Sequence, residues 1–309
     1  VSRFPFSPTP STPETAAIHR AAPRQESSML IRTSAVFATL MLSAGLAATA
    51  AQAQALPAKI KEAGKLVIAN VPNYPPMEFR DPATNTLMGV DIDLGEAIAK
   101  ELGVKVEWSG VGFEQMMPSL QTGRVDMILS GMTDLPTRRD TADFVNYLKS
   151  GAQFFTQASR AAEFKEPTDF CGKNVGMSRR TSFPAETEKW SEANCVAKGK
   201  PPIKVVGTEG SVDARNQLKQ GRIDGAVQGN ETIPYIIKMD PNTFVAVGGA
   251  FSSVQQGIAV SKTDPALRDA IAGAFKKVMA DGTYKKILDK YGIGDTAIDM
   301  VRINGEPAK

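Results

Sequence analysis

The chain has 309 residues, 42% hydrophobic and 22% charged, with a formal charge of +3 and two cysteines. That length provides for one large or two modest domains with a buried core. The hydrophobic content excludes a wholly disordered chain, and so few cysteines exclude a disulfide-dense miniprotein.

Residues 1–28 hold five prolines among Ser, Thr and Arg and read as a segment upstream of the native start, with Met29 the expected initiator. Arg32 closes a short basic n-region, and no charge follows from Thr33 to Ala58. The run between Ala51 and Ala55 offers cleavage after Ala53 or after Ala55. Residues 29–55 therefore read as a secretory signal peptide. A membrane anchor would keep Leu and Ile in its second half, where this segment has small residues. No cysteine lies near the cleavage site, which disfavours a lipid-anchored form. Residues 1–55 carry four of the 36 basic and two of the 33 acidic residues, so the remainder has 32 against 31. The single histidine, His19, goes with that segment. An electrostatic case for nucleic acid or an anionic membrane is absent. Histidine-dependent triads and histidine zinc sites are excluded. No cofactor and no metal is expected.

From Lys65 to Leu129, short apolar runs alternate with helical stretches that end at glycine. The runs near Leu66, Val106 and Met127 read as strands, with helices over 91–102 and 113–121 between them. This pattern predicts βα units and a mostly parallel sheet. It recurs with strands over 174–177, 203–206 and 223–227 and helices over 183–194 and 211–220. A direct repeat marks the correspondence, because residues 120–131 align with 218–229 and share Leu, Gly, Arg, Asp and a final Gly. Each copy reads as a helix end, a glycine cap and a strand running into a loop. Ligands in open α/β sheets sit beyond the carboxyl ends of strands, so Gly131 and Gly229 should both border a site.

Helices over 265–280 and 284–290 close the chain and have no lobe of their own to fill. The chain is expected to cross back, with linkers near 148–153 and 251–256. This gives one lobe from residues 56–150 and 256–309, a second from 151–255, and a hinged cleft between them. Cys171 and Cys195 fall in the second lobe. An exported protein meets an oxidising compartment, so a disulfide is expected between them.

With these features the chain resembles the amino-acid type (family 3) periplasmic solute-binding proteins of ABC importers. The resemblance covers nearly all of residues 60–293. It is carried by Tyr74-Pro75-Pro76-Met77-Glu78-Phe79, by Gly89 to Leu94, and by Gly131-Met132-Thr133-Asp134-Leu135-Pro136-Thr137-Arg138. It implies a periplasmic-binding-protein-like, two-lobe α/β fold of the venus-flytrap kind. By the same resemblance Arg138 binds the ligand's carboxylate, with Thr133 and the backbone at Gly131 completing the cradle. The planar guanidinium suits that task because it offers a permanent charge and a bidentate fork. Adjacent Arg139 is read as an ordinary surface residue. Tyr74 and Phe113 fall on pocket-wall positions, and Thr181 and Ser182 on hydroxyl-bearing positions at a helix N-terminus.

Two departures stand out. Arg180 occupies the family's Gly position, which alters the loop geometry or adds a second cation. Gly229 stands where an Asp usually pairs with the ligand's ammonium. Glu231 or Asn230 then reaches the amine, or the ligand lacks an ordinary one. With Val71 at a position where some relatives carry an acid, Arg, Lys or His specificity is disfavoured. The resemblance further implies capture by lobe closure, a monomer, and delivery to an inner-membrane permease with its ATPase. A rival reading is a periplasmic dehydratase on the same fold, for which Glu78 and Glu231 are the available carboxylates.

Overall fold

Glycine-punctuated βα units build one side of each of two sheets. The computed structural model describes residues 56–308, so the expected upstream segment and signal peptide lie outside the described residues. In the first sheet Lys65–Asn70 runs parallel to Lys105–Gly110 on one side and Met127–Ile128 on the other. In the second sheet Asn174–Ser178 holds the same place, parallel to Lys204–Thr208 and Gly225–Gly229. Helices Val90–Leu102 and Phe113–Gln121 serve the first set, and Phe183–Asn194 and Ser211–Lys219 the second.

The internal repeat has a structural counterpart in both sheets. Gly123 and Gly221 adopt φ of 68° and 67°, the left-handed turn that glycine permits at a helix end. The Asp126 carboxylate accepts the Val67 N–H at 2.9 Å, and the Asp224 carboxylate accepts the Asn174 N–H at 2.9 Å. Each repeat aspartate thus ties the loop after its helix to the N-terminal half of the first strand of its βα set.

The expectation of mostly parallel sheets needs correction, because both sheets are mixed. Ala152–Gln157 lies antiparallel to Gly225–Gly229 and to Phe244–Val247. Val254–Ser261 lies antiparallel to Met127–Ile128 and to Ala142–Ser150. The cause is the crossing itself. Strands of the βα units end at the cleft, whereas a strand arriving from the other sheet starts there and runs away. The segments read as linkers are therefore largely strand. Gly151 marks the first crossing, where a Cβ would lie 2.1 Å from the Ser252 carbonyl oxygen of the returning chain. The two crossings lie side by side.

After the return, Pro265–Ala280 begins on Asp264, whose carboxylate accepts the Leu267 N–H at 3.0 Å. This helix and Thr283–Tyr291 join the first core through Ile271, Phe275 and Leu288, together with Leu94 and Ile98. The second core gathers Phe154, Phe170, Val175 and Met177 around buried Cys195. Cys195 forms a disulfide with Cys171. A small sheet of Asn73–Tyr74, Glu78–Arg80 and Leu87–Met88 precedes the helix Val90–Leu102 and was not expected from the sequence. Among the described residues no helix is long and apolar enough to cross a membrane.

Candidate ligand-binding site

A cavity of about 110 Å³ opens between the carboxyl ends of the two sheets. Of the residues singled out in the sequence, Val71, Tyr74, Glu78, Phe113, Gly131, Thr133, Arg138, Thr181 and Ser182 line it. Gly229 and Glu231 are not on its wall. They lie behind Tyr74, whose hydroxyl accepts the Gly229 N–H at 3.2 Å and donates to Glu231 Oε1 at 3.2 Å.

Arg138 ends the short turn Pro136–Arg138. Its Nη1 donates to the Thr133 carbonyl at 2.7 Å, and Nη2 to the Arg180 carbonyl at 3.3 Å on the opposite wall. Its guanidinium carbon sits 5.6 Å from the Phe113 ring centroid. Burial lowers its pKa to about 10, so it stays charged at neutral pH. Neighbouring Arg139 differs in every respect, because its Nε and Nη2 reach the Asp134 carboxylate at 2.6 and 2.9 Å. One arginine is neutralised by its neighbour, while the other brings a half-buried cation to the cavity, where its guanidinium donates to two carbonyls.

Hydroxyls converge on the same end. Thr133 Oγ1 and Ser182 Oγ are 3.2 Å apart and join the two walls. Ser182 is the N-cap of Phe183–Asn194, so that helix presents its N-terminal end to the cavity. Thr181 uses its hydroxyl locally, donating to the Ser178 carbonyl at 2.7 Å. Gly131 has φ 53°, and a Cβ there would meet the Tyr74 ring at 3.2 Å. Its N–H donates to Asp91 Oδ2 at 2.8 Å.

Arg180 resolves one of the departures. It adopts φ 64°, the left-handed conformation a glycine takes without strain. Its side chain leaves the cavity and pairs with Glu114 at 3.2 Å across the mouth, with both groups exposed.

Three carboxyl groups lie on or behind the cavity wall, and of these Glu78 lines it. Glu78, Asp91 and Glu231 are all buried. Burial pushes all three carboxyls above their usual range, Asp91 to about 6. Glu231 accepts from Ser150 Oγ at 2.7 Å and from Gln256 Nε2 at 2.8 Å, in addition to Tyr74. A Cβ on Gly229 would lie 2.2 Å from Glu231 Oε1, so the glutamate carboxylate fills the space where a side chain at 229 would begin.

Sequence reasoning missed Glu209, Gly210 and Ser211, which line the cavity before the helix Ser211–Lys219. They follow the strand Lys204–Thr208, and the rule that ligands gather beyond strand carboxyl ends applies to them as it did to Gly131.

Two sheets joined by two crossings around a cavity lined by an arginine, a carboxyl group and hydroxyls define a two-lobe binding protein for a small polar molecule. The chain belongs to the bacterial extracellular solute-binding proteins, family 3, whose model matches residues 66–294. It is 28% identical over 252 residues to the arginine-binding protein ArgT of Corynebacterium glutamicum, covering 82% of each chain. The structure of an ancestral arginine-binding protein bound to arginine matches with 32% identity and a TM-score of 0.66, over 74% of this chain and 98% of that one. The ancestral amino acid-binding protein AncCDT-1, a precursor of cyclohexadienyl dehydratase, matches with 30% identity and a TM-score of 0.65, over 75% and 97%.

Proposed function

We propose that this chain captures an amino acid or a related small carboxylate outside the inner membrane and hands it to an ABC permease with its ATPase. Arg138 carries the reading: it is a half-buried guanidinium on a cavity, its own neighbour Asp134 is already engaged by Arg139, and hydroxyls stand beside it. A ligand carboxylate supplies the missing counter-charge as a bidentate partner. Thr133, Ser182, Thr181 and the Gly131 backbone surround that carboxylate, and Tyr74 and Phe113 flank the rest of the ligand. The buried carboxyls, with Glu231 behind Tyr74, favour an amine on the same molecule. Residues 56–150 and 256–309 act as one lobe and 151–255 as the other. A ligand shifts their equilibrium only by its differential affinity for the open and closed forms. The chain works as a monomer in the periplasm after removal of the signal peptide, and the ligand leaves chemically unchanged.

The test is a thermal-shift screen across amino acids, opines and small carboxylates, followed by calorimetry on the best of them. Arg138→Ala is expected to weaken that binding at least about a hundredfold, as loss of a buried charge-assisted pair implies. Unchanged affinity in Arg138→Ala sinks the carboxylate assignment. Recovery of a converted product after incubation with prephenate favours the enzyme instead.

A further inference from the structure

Glu78 and Asp91 meet at the floor of the cavity, beneath the Ser130–Gly131 segment that forms part of its wall. Glu78 belongs to the strand Glu78–Arg80 and Asp91 to the first turn of Val90–Leu102. The Asp91 N–H donates to the Met77 carbonyl at 2.8 Å and the Val90 N–H to the Pro76 carbonyl at 2.9 Å, which clamps the helix start onto the strand. Gly89 allows this approach, since a Cβ there would lie 2.1 Å from the Met77 carbonyl oxygen.

Each carboxyl has one engaged oxygen and one without a donor. Glu78 Oε1 accepts the Ser130 hydroxyl at 2.6 Å, and Asp91 Oδ2 accepts the Gly131 N–H at 2.8 Å. Glu78 Oε2 and Asp91 Oδ1 are buried and have no hydrogen-bond donor. The titratable groups facing the pair are Tyr147, Tyr74 and Glu231, and none of them is a cation. Two ionised carboxylates in this setting repel each other and leave two buried acceptors unpaired. The two carboxyls stand within hydrogen-bonding reach of each other, so a single proton between them removes the repulsion and makes one group a donor to the other.

We propose that Glu78 and Asp91 share one proton at neutral pH and that this neutralised pair is the brace that positions Ser130 and Gly131 at the ligand cavity. The proton resides on Glu78. Asp91 keeps the charge, because it lies in the first turn of a 13-residue helix and accepts the Gly131 N–H. Both are positioning residues: they act on the cavity through Ser130 and Gly131 and need no contact with the ligand.

The experiment compares the wild-type chain with Glu78→Gln and Glu78→Ala, without added ligand. A glutamine at 78 reproduces the protonated acid, donating from its amide to Asp91 and accepting from Ser130. At pH 7 the infrared spectrum of the wild type should contain a buried protonated-carboxyl band that is lost in Glu78→Gln. Glu78→Gln should unfold at a temperature close to the wild type, while Glu78→Ala unfolds well below it. The fall of the wild-type unfolding temperature between neutral and alkaline pH should flatten in Glu78→Gln. Absence of the band in the wild type overturns the proposal. So does a glutamine variant that is as unstable as the alanine variant or fails to fold, because an ionised Glu78 is what an amide cannot replace. These readouts need no ligand, so their failure is separate from failure of the amino-acid reading.

Discussion

Placing a methyl group on residue 229 tests how the Glu231 carboxylate is held behind the cavity wall. In Gly229→Ala the new Cβ would sit 2.2, 2.4 and 2.5 Å from Glu231 Oε1, Oε2 and Cδ. Ordinary contact requires the carboxylate to retreat by about 1 Å, and that group is held at 2.7 Å by Ser150, 2.8 Å by Gln256 and 3.2 Å by Tyr74. A hydrogen bond to a charged group contributes about 1.5–3 kcal/mol. Loss of two of the three, partly offset by relaxation of a flexible side chain, gives a destabilisation of about 2–4 kcal/mol. For a chain of this size that corresponds to a drop of roughly 4–8 °C in Tm. Urea and thermal unfolding of Gly229→Ala, Glu231→Ala and the double variant close a cycle. Glu231→Ala is itself destabilised, because it strands three buried donors. In its background the methyl at 229 meets no carboxylate, so the second substitution should cost almost nothing. A Gly229→Ala variant within about 0.5 kcal/mol of the wild type refutes the reasoning, as do additive penalties in the double variant.

The raised carboxyls set a pH dependence whose sign follows from linkage. Glu78, Asp91 and Glu231 titrate above their usual range when folded, Asp91 at about 6, so the folded chain holds more protons than the unfolded one above about pH 4. Their contribution is complete below the unfolded values and declines as pH rises through 6 and beyond, by up to about 1.4 kcal/mol per pH unit for each proton retained. The difference in unfolding free energy between wild type and Glu78→Gln, measured from pH 4 to 9, isolates it, and a difference independent of pH contradicts it. Asp126→Ala and Asp224→Ala should each cost about 1–2 kcal/mol, with additive effects because they cap strands in different sheets, and a strong coupling in the double variant would show otherwise. Cys171→Ser with Cys195→Ser should lower stability by about 3 kcal/mol through loss of a cross-link spanning 24 residues, read by urea unfolding. Arg180→Gly relieves a left-handed arginine and removes an exposed pair, so its stability should stay within about 1 kcal/mol of the wild type while bound ligand dissociates faster. A slower off-rate by stopped flow would contradict the assignment of Arg180 to the cleft mouth.

What could be read from the sequence was what neighbouring residues decide together. Glycine after an amphipathic run announces a helix end, and Gly103, Gly123 and Gly221 all sit at left-handed turns there. The repeat around Asp126 and Asp224 was legible as punctuation, although its hydrogen bonds to Val67 and Asn174 were not. The antiparallel crossings were hidden because Ala142–Ser150 pairs with Val254–Ser261, more than a hundred residues away, and nothing local specifies that register. The site divides in the same way. Arg138 and its hydroxyl neighbours could be placed by their motif. The clash that forbids a side chain at 229 arises only when Glu231 is pulled back by Tyr74, Ser150 and Gln256, three residues scattered along the chain. The left-handed backbone at Arg180 runs against the preference of its own side chain, so local propensity points the wrong way there.

The place of Val254–Ser261 in the first sheet also bears on the order in which a growing chain can fold. That strand lies between Met127–Ile128 and Ala142–Ser150, so before it emerges the first sheet exists as two unjoined pieces with open edges. The strands of the second sheet, from Ala152 to Val247, are all present by then and continuous in sequence. A chain delivered from its N-terminus therefore completes the second sheet before the first. The arrival of Val254–Ser261 decides when the strands from Lys65 to Ser150 can settle into one sheet.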